Sequence, residues 1–168
     1  MQSFYNFEQY HGQFKGDFVE FVKDDKNGIK MLERTKAKKC TYSLKSVSDY
    51  KCKVLDNQFD GMLININKVD IWVKLIGDFN AYNMLSVYAV ANLFDFEDYQ
   101  VLTALSMLIP VEGRFQYLQS EEKITAIVDY AHTDDALKNV ITTINSIRTN
   151  TEKLITVVGC GGDRDKTK

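Results

Sequence analysis

Residues 125–168 read TAIVDYAHTDDALKNVITTINSIRTNTEKLITVVGCGGDRDKTK, and this stretch decides the fold class. Ile124–Val128 is a short β-branched run suited to a buried strand. Thr133 stands where a helix N-cap belongs, and Asp134 and Asp135 put negative charge in the first turn, where the helix dipole favours it. Ala136, Leu137, Val140, Ile141, Ile144 and Ile147 then recur at helical spacing and form one apolar stripe. A second apolar run, Leu154–Val158, stops at Gly159-Cys160-Gly161-Gly162-Asp163-Arg164-Asp165. The pattern predicts a βαβ unit whose glycines and charges lie at the carboxyl end of a parallel strand, where open α/β sheets bind ligands.

Upstream, Cys40–Leu75 predicts β structure. Cys40–Leu44, Lys51–Asp56, Gly61–Ile66 and Ile71–Leu75 are short, partly alternating segments separated by Ser, Asp, Asn and Gly, the pattern of a meander. Asn65-Ile66-Asn67-Lys68 belongs at a strand end or hairpin. A meander needs a covering layer. Two helices are expected to supply it, one from Gly77 to about Leu93 and one over Asp98–Leu108. In the first, Leu85, Tyr88, Ala89 and Asn92 share a face, flanked by Met84 and Val87. Asn80 and Asn83, three apart, put two amides on one side of the helix start, either as caps and surface groups or toward a ligand. Pro110, the single proline, precedes Val111-Glu112-Gly113-Arg114 and marks a boundary between domains at 1–110 and 111–168. Asp24-Asp25-Lys26-Asn27-Gly28 is a turn by composition; a short helix over Ile29–Thr35 follows, then a solvated basic edge at Lys36–Lys39.

Composition excludes several classes. Net charge is −2 with mixed signs, which offers no electrostatic case for nucleic acid or an anionic membrane. No apolar run approaches the length of a membrane span, and Met1-Gln2-Ser3 leads into polar sequence without a secretory or transit signal. Cys40, Cys52 and Cys160 have no CxxC spacing, so free thiols in a reducing cytoplasm are expected. Two histidines without HExxH or Cys/His clustering argue against zinc.

Val128-Asp129-Tyr130-Ala131-His132-Thr133, followed one βαβ unit later by Gly159-Cys160-Gly161-Gly162-Asp163-Arg164-Asp165, resembles the Mur ligases. Within them it is most similar to the branch, the UDP-N-acetylmuramoyl-tripeptide synthetases, that adds the third residue of the peptidoglycan stem peptide. Gly77-Asp78-Phe79-Asn80-Ala81-Tyr82-Asn83, Gly113-Arg114 and Tyr10-His11-Gly12 match further motifs of the family. The resemblance implies an α/β chain: a β-meander with covering helices from the central ATPase domain, then the first βαβ of a Rossmann-like C-terminal domain. It implies ATP and magnesium as cofactors, and ligation of a diamino acid to a UDP-linked muramoyl peptide in the cytoplasm. Asn83, Arg114, Asp129 and His132 would meet the nucleotide, and Arg164 would meet the incoming diamino acid's carboxylate, with Asp163, Asp165 and Lys166 in support.

Departures are also legible. Val22 stands where the family has an asparagine before two aspartates, Phe115-Gln116 replace Met-Glu, and Asp134 replaces a proline at the first helical position. Aspartate also suits that position, so the helix should survive. No Gly-x-x-x-x-Gly-Lys-Ser/Thr phosphate loop is present, and the helix carrying the family's carbamylated lysine is absent between Gly16 and Asp17. The expectation is therefore a chain inactive alone, with an uncovered sheet face prone to self-association. A non-catalytic nucleotide-binding or interaction protein on the same scaffold is the alternative. Folate polyglutamate and cyanophycin synthetases tend to carry His-Asn where this chain has His132-Thr133 and rank lower. The added residue, lysine or diaminopimelate, stays open.

Overall fold

The computed structural model describes residues 18–25, 36–149 and 151–159. Tyr10-His11-Gly12, the helix expected over Ile29–Thr35, and the Cys160–Lys168 segment with Arg164 lie outside the described residues.

Among the described residues, five strands form the first sheet in sequence order: β1 (Phe18–Val22), β2 (Lys38–Ser43), β3 (Tyr50–Gln58), β4 (Gly61–Ile66) and β5 (Val69–Val73). Only β3, β4 and β5 make the antiparallel meander the sequence predicts; β1–β2 and β2–β3 pair in parallel. The β2–β3 pairing corrects the expectation and has a simple physical basis. Parallel neighbours ordinarily need a long crossover, but here only the end of β2 meets the start of β3, at Tyr42↔Tyr50 and Ser43↔Lys51. A short loop suffices for that offset. It is tied by Asp49, whose Oδ2 accepts from the Thr41 backbone N–H at 2.8 Å and hydroxyl at 2.7 Å.

Alternation in β4 sends Met62, Ile64 and Ile66 inward, all fully buried. Asn67 and Lys68 form the β4–β5 turn with φ of 45° and 73°, left-handed angles that two-residue hairpins require. Helix α1 (Asp78–Leu93) lays Ala81, Met84, Leu85, Tyr88 and Ala89 onto this face, and α2 (Asp98–Met107) adds Val101, Leu102 and Leu105. Each large side chain so buried contributes roughly 1.5–3 kcal/mol. Val87, expected to flank the stripe, instead faces solvent. Buried Tyr88 keeps its hydroxyl satisfied: it donates to Asp98 Oδ1 at 2.8 Å and accepts from Asn67 Nδ2 at 3.3 Å. One phenol thus joins α1, α2 and the β4–β5 turn.

After Pro110 the chain forms an antiparallel pair, β6 (Gln116–Gln119) with β7 (Thr125–Val128), then α3 (Asp134–Ile147). Thr133 caps α3, its Oγ1 accepting from Ala136 N–H at 3.3 Å. The expected second parallel strand is corrected: 154–158 forms no strand among the described residues. A β-branched run supplies propensity, but a strand also needs a partner edge, and Ile155, Val157 and Val158 are exposed. The part of the chain after Pro110 nevertheless packs on the first sheet and its helices. Thr143 of α3 is buried against Gly77, the residue before α1. Phe59 stacks on Tyr117 of β6 at 5.8 Å, and Phe79 of α1 meets Phe115 at 6.2 Å.

Candidate functional site

The turn after Pro110 and the turn after β7 come together. Tyr130 N–H donates to Gly113 O at 2.9 Å, and Gly113 N–H donates to Gln116 Oε1 at 3.1 Å. Asp129 is half-buried between the turns; Oδ2 accepts from Phe115 N–H and Oδ1 from Ala131 N–H, both at 2.7 Å. These are charge-assisted bonds of short length.

Sewn together in this way, the turns present a polar and aromatic cluster. The guanidinium carbon of Arg114 lies 5.3 Å from the centroid of the Tyr130 ring, within cation–π range. Tyr130 and His132 meet edge to face at 5.2 Å, and His132 Nδ1 lies 3.0 Å from Tyr130 O. Arg114, Tyr130 and His132 are exposed, so their outward surfaces can receive a ligand. A fork of N–H donors beside two ring faces suits a nucleotide, with the fork on anionic or ribose oxygens and the rings on the base. Among the described residues no group of three or more His, Cys, Asp or Glu could hold a metal ion, so no side chain here is assigned to magnesium.

Of the expected site residues, Arg114, Asp129 and His132 are brought together. Asn83 is exposed on α1, one helical turn beyond Phe79 on the same face. Since Phe79 touches Phe115, Asn83 lies on the helix that borders the cluster, though no recorded contact joins it to Arg114 or His132. Asn80 is engaged by the chain just before the helix, its Nδ2 donating to Ile76 O at 2.8 Å. Sequence reasoning missed Tyr130. Its signal was available: an aromatic residue two before a histidine in a strand-exit turn puts both rings on one rim.

It also missed Asp24. This carboxylate accepts from the Tyr82 hydroxyl at 2.7 Å, the Ser43 hydroxyl at 2.8 Å, the Ser46 hydroxyl at 2.9 Å and Leu44 N–H at 3.0 Å. Partial burial pushes its pKa upward, but the bonds from Tyr82, Ser43, Ser46 and Leu44 prevail and hold it at about 2. The network fixes the first turns of α1, beside Asn83, to the end of β1.

Comparison with known proteins follows the two halves of the chain. Residues 8–91 match the model of the Mur ligase middle domain, and residues 113–168 that of the Mur ligase, glutamate ligase domain. A UDP-N-acetylmuramoyl-L-alanyl-D-glutamate--2,6-diaminopimelate ligase of Phocaeicola vulgatus is 54% identical over 145 residues, which cover 86% of this chain and 30% of that protein. A ligase of the same name from Bacteroides fragilis is 51% identical with the same coverage. A solved structure of a ligase bearing that name aligns with a TM-score of 0.62 at 31% identity, over 88% of this chain and 32% of that one. MurF from Acinetobacter baumannii aligns with a TM-score of 0.70 at 11% identity, over 79% of this chain and 30% of that one, a likeness of fold alone. The chain spans about 30% of the length of the curated relatives it matches.

Proposed function

We propose, from the premise that this chain belongs to the Mur ligase family, that it is the portion of a cytoplasmic amide ligase that receives ATP at the junction of two domains. The domains divide near Pro110, between the two matched segments. The whole enzyme would join 2,6-diaminopimelate to UDP-N-acetylmuramoyl-L-alanyl-D-glutamate in peptidoglycan synthesis, the reaction in the names of the relatives at 51–54% identity. One observation carries the reading: Arg114, Tyr130 and His132, distributed over two turns, converge on one exposed rim that borders the Asn83 helix.

The chemistry asks little covalent work of the protein. Phosphoryl transfer to a carboxylate, and displacement of phosphate by an amine, depend on charge neutralisation and alignment. Here Arg114 supplies a fixed cation, while Tyr130 and His132 supply flat apolar surface. Arg164 is proposed to hold the diamino acid's carboxylate. Without the phosphate loop the chain aligns no transferred phosphate and is expected to be inactive alone. Leu118, Ile124, Val128, Ile155, Val157 and Val158 are exposed, and apolar side chains left in solvent favour self-association of the isolated chain.

A chimera tests the assignment. Residues 36–159 replace the matching segment of the Phocaeicola vulgatus ligase, and ADP release is followed with the UDP-muramoyl dipeptide and diaminopimelate. Turnover within about tenfold of the parent is expected. A folded chimera without substrate-dependent turnover refutes the ligase reading, and turnover by the isolated chain refutes its inactivity.

A further inference from the structure

Phe94-Asp95-Phe96-Glu97-Asp98-Tyr99 joins α1 to α2 and intersperses rings with carboxylates. The turn itself holds its rings outward. Asp95 takes a left-handed φ of 60° and its N–H donates to Asn92 O at 3.0 Å, while Phe96 N–H donates to Ala91 O at 3.2 Å. This is the Schellman pattern, in which the residue at the Phe96 position ordinarily packs on the side chain at the Ala91 position. An alanine methyl is too short to cover a phenyl ring, and Phe96 stays 59% exposed. Tyr99 is 81% exposed, because α2 turns Val101, Leu102 and Leu105 to the core instead. Asp98 is held by the Tyr88 hydroxyl, but Asp95 and Glu97 offer exposed carboxylates beside the rings.

The opposite charge stands at the same end of the molecule. Tyr82 of α1 reaches Asp24, just past β1, at 2.7 Å, and Ser86 reaches Glu20 within β1 at 3.3 Å, so the helix runs back along the strand. Phe94 lies ~12 Å beyond Ser86 at about 1.5 Å per residue. Glu20 pairs with Cys40, and Lys36 lies ~13 Å before Cys40 at about 3.3 Å per residue. The acidic turn is therefore level with the basic start of β2, where Lys36 and Lys38 are exposed.

We propose that this end is a twofold interface between two copies of the chain: the Phe94–Tyr99 turn of each lies on the Lys36–Lys38 edge of the other, with Phe96 and Tyr99 as its buried anchors. Two patches of opposite sign on one end are self-complementary about a twofold axis, which sets each copy's carboxylates on the other's lysines and makes the contact twice. Aromatic anchors with charges at the rim are the composition of an interface core and its border. The surface stands at the end of α1 away from Phe79, so it is independent of the Arg114–His132 rim.

Sedimentation equilibrium of the 168-residue chain over ~1–100 μM tests the proposal. A reversible dimer is expected, weakened severalfold as salt rises from about 0.05 M to about 0.5 M. Phe96→Ser with Tyr99→Ser should weaken it more than about tenfold, with the melt followed by Trp72 fluorescence unchanged, since both rings are exposed in the single copy. Charge reversal is the decisive arm. One variant carries Asp95→Lys and Glu97→Lys, the other Lys36→Glu and Lys38→Glu; lysine already accepts a left-handed angle at Lys68 and Lys123. Each variant alone should be monomeric, because both copies of the contact become repulsive, and an equimolar mixture should regain the dimer, because both contacts become attractive again. A mixture that stays monomeric overturns the proposal, as does a wild type that is monomeric throughout. Association unchanged in the aromatic variant and in both charge variants overturns it and assigns the contact to the exposed apolar side chains after Pro110. A monomeric wild type that binds polylysine, with the binding lost in the aromatic variant, shows a basic partner in place of a second copy and overturns it as well.

Discussion

Glu20 should make the stability of this fold fall between pH 5 and pH 8. It lies on β1 opposite Cys40 of β2, with Ser86 Oγ of α1 3.3 Å from its Oε2. Its Oε1 is buried with no hydrogen-bond partner among the described residues. Cys40, Tyr42 and Tyr50 are titratable groups near it whose ionisation its charge would disfavour. Desolvation dominates over the single bond from Ser86 and raises its pKa from 4.5 to about 8. Below pH 4.5 the carboxyl is protonated in both states and costs nothing. Between 4.5 and about 8 the unfolded chain ionises while the folded one keeps its proton, so stability drops as pH rises. At about 1.36 kcal/mol per pH unit the upper bound is ~5 kcal/mol, and the solvent access of a half-buried group reduces it to ~2–3 kcal/mol. Glu20→Gln removes the titration while keeping the shape. Urea unfolding followed by Trp72 fluorescence from pH 4.5 to 8.5 should show the variant overtaking wild type, by ~2–3 kcal/mol at pH 8, with the two converging at the acid end. Parallel curves would refute the reasoning, as would a variant less stable than wild type at pH 8.

Two more substitutions probe the fold that carries the site. Asp24→Asn should lose roughly 1–2 kcal/mol near neutrality, since one oxygen can no longer accept; because the native pKa is depressed to about 2, wild type should weaken as pH falls through 4 toward 2, and the variant should lack that limb in acid-unfolding curves. Gly61→Ala should cost roughly 2 kcal/mol or more in the same melts, since a Cβ would lie 2.5 Å from Val73 O and 2.8 Å from the Trp72 indole, and the β4–β5 ladder cannot yield. Gly113→Ala, which meets nothing within 4 Å, should lose only about 1 kcal/mol for its left-handed angle.

Much of this was legible in the chain. The Thr133 cap, the limits of α1 and α2 within a residue or two, and the β4–β5 turn follow from local chemistry, because capping oxygens, helical periodicity and turn residues act over a few positions. The residue types proposed for the site were visible in the chain as well, since Asp129, His132 and Arg114 stand in motifs that resemble the family's. Asn80 and Asn83 look alike in sequence; only the bond from Asn80 Nδ2 to Ile76 O separates the amide engaged within the fold from the candidate ligand.

What the sequence could not settle was partnership. Cys40–Ser43 has the propensity of a strand whichever way its neighbours run, and the parallel pairing with β1 and β3 came from how the chain meets itself. Leu154–Val158 has the same propensity and forms no strand among the described residues, because propensity is local and a ladder is not. Tyr130 and Asp129 show the same division within the site. Their identities were written in the chain, but the meeting with Gly113–Phe115, some 14 residues away, exists only once the two turns are folded together. Short-range interactions decide which element a segment forms; which groups face one another across a site depends on contacts distant in sequence, and those only the tertiary structure supplies.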